Sequence, residues 1–168
     1  MKVRTLARMA LLTAAALILG YIDSLIPIVP SVPGIKLGLS NLVLLYAAFY
    51  MRPVETAILM LLKVGLSSLL FGNAVGALYA LAGGVLSVTA MLLLHRIPHV
   101  SVIPVSTIGG ILHIVGQCLI GCILISWRPV LFYAPWLLIS GTATGLLLGL
   151  AARAAFYGIE RYERRNCV

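Results

Sequence analysis

Long apolar runs follow one another from residue 6 to residue 152, with breaks of only a few residues between them. A helix that crosses the hydrocarbon core of a bilayer needs about 20 mostly apolar residues. Six runs reach or approach that length: Leu6–Ile26, Leu37–Met51, Pro53–Phe71, Ala74–Leu94, Val102–Ser126 and Val130–Ala152. The breaks carry turn chemistry, with Pro27, Pro30 and Pro33-Gly34 after the first run, then Arg52-Pro53, Gly72-Asn73, His95 to His99, and Trp127-Arg128-Pro129. The second run is short and the break at Arg52-Pro53 is tight. That run therefore either begins inside the preceding loop or lies tilted. Only 10% of residues are charged, against about 25% in a soluble domain. So few charges cannot cover a globular surface, and the apolar surface must face lipid. The expected fold is an all-α integral membrane protein, residues 1–168 forming one domain of six transmembrane helices.

Orientation follows from the basic residues, which collect on the cytoplasmic side of membrane proteins. Numbered alternately, the N-terminal side holds Lys2, Arg4, Arg8, Arg52, Arg96, Arg153, Arg161, Arg164 and Arg165. The other side holds Lys36 and Arg128, and Lys63 falls within the third run. Both termini are expected in the cytoplasm, with the chain in the cell membrane. The net charge of +8 then marks topology and attraction to anionic membrane lipid, not a nucleic-acid partner.

Several function classes lack their residues. There is no G-x-x-x-x-G-K-[ST] phosphate loop, so no ATP hydrolysis by that route is expected. The four carboxylates, Asp23, Glu55, Glu160 and Glu163, form no aspartate-rich pair able to hold Mg²⁺ on a diphosphate. No Ser/His/Asp set has suggestive spacing. Cys118, Cys122 and Cys167 have no zinc spacing, and the first two read as small packing residues. No enzyme, no cofactor and no metal site is expected. The first apolar run exceeds a signal-peptide core of about 7–15 residues, and is expected to be a retained helix.

Polar groups inside a membrane are costly and are functional candidates by default. Lys63 lies near the middle of the third run, where it either snorkels to an interface or serves a site. His113 lies near the middle of the fifth, with Gln117 four residues on and so on the same helical face. The pair reads either as a histidine bonded to a neighbouring helix or as a ligand contact. In the stretch VPGIKLGLSN, Lys36 precedes Ser40 and Asn41 at the start of the second run. A helix start has unpaired N–H groups and a positive dipole end, which favour anions. This segment reads either as an ordinary cap with an interfacial lysine or as a clamp for an anion or carboxylate. Asn73, also on the outer side, joins the candidate set.

Small residues let helices approach closely in lipid. Gly141, Gly145 and Gly149 form one ladder, Gly76, Ala80 and Gly84 a second, and Ala10 and Ala14 a shorter third. Each serves either packing within the chain or a docking face for another membrane subunit.

Three segments carry a resemblance: PGIKLGLSN (33–41), LLFGNAVGALYALAGGVLS (69–87) and GGILHIVGQ (109–117). Together they resemble the Gx transporter family, also labelled heptaprenyl diphosphate synthase component I. That family is similar to the substrate-binding S components of energy-coupling factor (ECF) transporters. The likeness covers roughly residues 5–150. It implies a six-helix, S-component-like bundle with both termini inside. It implies docking of a shared transmembrane coupling subunit on a small-x-x-x-small motif, which Ala10 and Ala14 fit. The loop at about 26–36 would act as a lid, and two separate ATPase subunits would supply energy.

The expected function is a membrane-embedded substrate-binding subunit of an ECF uptake transporter. Its ligand would be a small molecule, anionic or related to isoprenoids or quinones. The expected substrate contacts are Lys36, Ser40, Asn41, Lys63, Asn73, His113 and Gln117. Two alternatives stand beside it: a membrane partner of prenyl diphosphate synthesis, and an assembly subunit of a membrane redox complex.

Overall fold

The computed structural model describes residues 3–25 and 38–166, with side chains to residue 158. All the regular structure among them is helical. The elements are α1 (Val3–Leu25), α2 (Ser40–Tyr50), α3 (Pro53–Phe71), α4 (Ala74–Leu94), α5 (Val102–Leu124) and α6 (Trp127–Asn166). Five of them, all but α2, are long and apolar enough to cross a membrane. Helices α3 and α4 have the bounds expected from sequence.

Helix α2 differs most from expectation. It has 11 residues, a length of about 16 Å at 1.5 Å per residue, short of the roughly 30 Å core. Its composition explains its place. It is apolar on every side, and such a helix is buried. It touches α1, α3, α4 and α6. Val43, Leu44 and Ala47 pack with Ala16 of α1, Leu59, Met60 and Val64 of α3, and Val88 of α4. Leu45 and Ala48 pack the other way, with Met91, Val105, Ala152 and Phe156. The second apolar run is thus a central strut of the bundle. Thr56 Oγ1 fixes its far end by donating to Ala47 O at 3.0 Å.

Helix α6 also departs from the expected span, Val130–Ala152. It begins three residues earlier because Pro129 sits in the first turn, where a missing N–H costs nothing. It continues to Asn166 because the charged tail from Arg153 ends the apolar run without breaking the helix. At about 60 Å, it is longer than a bilayer core. Helix α5 ends at Leu124, two residues short of the expected Ser126.

Glycines set the spacing of α4, α5 and α6. A Cβ on Gly116 of α5 would lie 2.6 Å from Ala82 O of α4. A Cβ on Gly145 of α6 would lie 2.9 Å from Ser106 O of α5, and Ser106 Oγ donates to Gly145 O at 2.7 Å. Gly141 and Gly149 approach Gly110 and Ile103 of α5 in the same way. The ladder on α6 therefore packs inside the chain. Gly84 of the second ladder faces Met60 of α3. Ala10 and Ala14, by contrast, are exposed.

The two ends of the bundle differ. At one end Arg8 Nη2 donates to Tyr46 OH at 3.3 Å, and Tyr46, Phe49, Tyr50, His95 and Phe156 form a ring cluster. These contacts bring together the start of α1, the end of α2, the end of α4 and the late part of α6. Exposed apolar residues such as Leu11, Leu69, Ile123 and Phe132 cover the bundle's outside, as a lipid-facing surface requires.

Candidate functional site

Buried polar residues converge where the chain enters α2. Gly38 has φ of +69°, a left-handed conformation that glycine adopts without a Cβ penalty. This bend lets Gly38 O accept from Asn41 N at 2.8 Å. Gly38 N points the other way, to α1, and donates to Asp23 Oδ2 at 2.8 Å. Asn41, in the first turn of α2, accepts on Oδ1 from Lys63 Nζ of α3 at 2.9 Å. Lys63 is thus bonded within the bundle rather than extended to an interface.

His113 of α5 packs against Gly83 of α4, whose neighbour Gly84 faces Met60 of α3. His113 Nε2 is 3.4 Å from Gln117 Nε2, so a neutral ring that accepts there carries its proton on Nδ1. Nδ1 is buried against Gly83 of α4 and has no hydrogen bond of ordinary geometry among the described residues. Gly83 leaves room for the ring: a Cβ there would lie 2.9 Å from the imidazole and 2.7 Å from His113 O.

Asn41 has a second role as part of a cavity wall. Gly38, Asn41, Met91, Ser106, Gly110, Thr144, Gly145 and Leu148 enclose a small space of about 20 Å³. That is room for one water. An organic ligand would have to displace the side chains that line it.

The structure therefore brings Asn41, Lys63 and His113 with Gln117 into one polar region. Ser40 is buried, but it packs toward α1, 3.7 Å from where a Cβ on Gly20 would stand. Asn73 is exposed and caps α4, with Oδ1 accepting from Gly76 N at 2.6 Å. Lys36 and the expected lid lie outside the described residues.

Asp23 was not among the sequence candidates. It is 5% exposed and supplies the carboxylate nearest the start of α2. The available signal was an acid in the last turn of an otherwise apolar span, followed by a proline-rich break.

Residues 12–155 match the family described as heptaprenyl diphosphate synthase component I. No curated protein and no solved structure matches the chain.

Proposed function

The chain belongs to the heptaprenyl diphosphate synthase component I family, and we propose that it is a membrane-embedded substrate-binding subunit of the ECF S-component type. The observation that carries this reading is the Asp23–Gly38–Asn41–Lys63 network inside an apolar bundle. An ionisable residue within an apolar membrane-spanning helix is a functional-site candidate by default. The ligand is a small molecule that engages Lys63, Asn41 and the His113–Gln117 pair. An anionic or carboxylate-bearing group suits the ammonium, and an isoprenoid or quinone-related body suits the apolar walls.

The partners in this reading are a transmembrane coupling subunit and two ATPase subunits. The exposure of Ala10 and Ala14 on α1 supports docking there, because small exposed residues let a second helix approach closely. The end that gathers Arg8, Tyr46 and His95 is cytoplasmic by the positive-inside rule. Both termini then face the cytoplasm of the cell that holds the chain in its membrane.

The deciding experiment is co-expression of the tagged chain with an ECF coupling subunit and its two ATPases. The wild type should form a four-part complex that Ala14→Leu loses. A well-folded wild type that forms no complex would end this reading.

The family description favours a second one: a non-catalytic membrane partner of heptaprenyl diphosphate synthesis. It predicts instead that a soluble prenyltransferase co-purifies, and that deleting the chain changes the length of the prenyl products.

A further inference from the structure

Asp23 connects to the candidate site by an unbroken path. Its Oδ2 accepts from Gly38 N at 2.8 Å. Gly38 O accepts from Asn41 N at 2.8 Å, and Asn41 Oδ1 accepts from Lys63 Nζ at 2.9 Å. Three helices, α1, α2 and α3, are tied at this one turn. A lysine ammonium held inside an apolar bundle needs a compensating charge. Among the described side chains the other acid is Glu55, which sits in the first turn of α3 and accepts from Arg52 N. Glu55 and Lys63 are eight residues apart, about 12 Å along the helix. Asp23 is the remaining described acid, and it is bonded to the turn that sets Asn41 against Lys63.

We infer that Asp23 is the counter-ion and positioning residue of Lys63: it holds the turn at Gly38 and so aims Asn41 at the ammonium group. The inference deepens the proposed function only by calling this cluster a ligand site. Its test uses neither ligand nor coupling module, so the two can fail separately. A counter-ion has a distinct signature. Removing one partner of a buried pair is strongly destabilising, and removing both is much less so. A residue that merely fills space shows no such recovery.

The full chain, purified in detergent, is compared as wild type, Asp23→Ala, Lys63→Met and Asp23→Ala with Lys63→Met. Formate is the small carboxylate probe and chloride its control. Asp23→Ala with Lys36→Met is the control for loss of a lysine charge elsewhere in the chain. Asp23→Ala should melt about 5 °C or more below wild type. Adding Lys63→Met should recover at least half of that loss. Formate should raise the melting temperature of Asp23→Ala saturably and leave the Asp23→Ala/Lys63→Met protein unmoved.

No recovery with Lys63→Met, recovery with Lys36→Met instead, or an equal formate effect on every protein would overturn the inference. If Asp23→Ala does not fold, Asp23→Asn decides. It keeps an acceptor for Gly38 N but loses the charge. Destabilisation relieved by Lys63→Met supports the counter-ion role, and wild-type stability refutes it.

Discussion

Lys63 Nζ and Asn41 Oδ1 stand 2.9 Å apart and join the middle of α3 to the first turn of α2. Both side chains are partly buried, and the donor carries a charge. A hydrogen bond of that kind contributes about 1.5–3 kcal/mol. Asn41→Leu should therefore destabilise the chain by about that amount, because it leaves the ammonium without its acceptor. Lys63→Met removes the demand along with the bond, but it leaves the buried Asp23 carboxylate without its counter-ion, so it should cost at least as much. The double variant should be less destabilised than the sum of the singles, as expected for residues in contact. Denaturant unfolding in mixed micelles, read by tryptophan fluorescence, measures all three. Strict additivity would mean that the two side chains act independently.

Gly145 and Gly65 make a contrasting pair. A Cβ at Gly145 would stand 2.9 Å from Ser106 O and 2.9 Å from Thr107 Cα, while a Cβ at Gly65 would meet nothing within 4 Å. Backbone cannot yield as a flexible side chain can. Gly145→Ala should force α5 and α6 apart and cost about 1–3 kcal/mol. Gly65→Ala should be neutral, or stabilising by up to about 1 kcal/mol through helix propensity. Melting temperatures of the two proteins test this directly. Equal behaviour would mean that the α6 ladder does not set the α5–α6 spacing.

The candidate histidine can be disturbed without being touched. Gly83→Ala would place a methyl group 2.7 Å from His113 O and 2.9 Å from its ring. The imidazole must then turn away from α4, and its separation from Gln117 must change. Diethyl pyrocarbonate modifies imidazole nitrogen, so its rate at residue 113, followed by peptide mass spectrometry, reports the ring's access. The rate should rise severalfold in Gly83→Ala over wild type. An unchanged rate would place the ring elsewhere.

Much of this bundle could be read before its structure, and the reasons are local. Pro53 and the Gly72-Asn73 break bound α3, and Asn73 caps α4 through Gly76 N, so those ends follow from nearby residues. Helix α2 could not be sized so easily. Hydropathy runs through Leu37 into Tyr50, while the helix starts at Ser40 because Gly38 turns into the left-handed region. The end of α6 was obscured for the opposite reason, as charge stops an apolar run without stopping a helix. Lys63, Asn41, His113 and Gln117 stood out as polar residues in or beside apolar runs. Their contacts could not be read, because pairing across α2, α3 and α5 depends on how the helices rotate. Asp23 was missed because it looked like the polar edge of a span. Its partner, Gly38 N, is a backbone group that no side-chain pattern reveals.

Ala14 and Ala16 lie two residues apart on α1 and face opposite environments. Ala14 is exposed, whereas Ala16 is 1% exposed and packs against Val43, Leu44 and Ala47 of α2 and against α3. Ala14→Leu adds its bulk outside the bundle, so stability should stay within about 0.5 kcal/mol of wild type. Ala16→Leu pushes the same bulk into a filled core and should cost about 1–3 kcal/mol. The pair gives the docking experiment its control. A complex lost in a fully stable Ala14→Leu protein points to a surface contact on α1. A complex lost only as the protein itself loosens points to general damage. Thermal melting and co-purification, measured on the same preparations, separate the two. If Ala14→Leu proves as destabilising as Ala16→Leu, Ala14 belongs to the core and the α1 docking face must be abandoned.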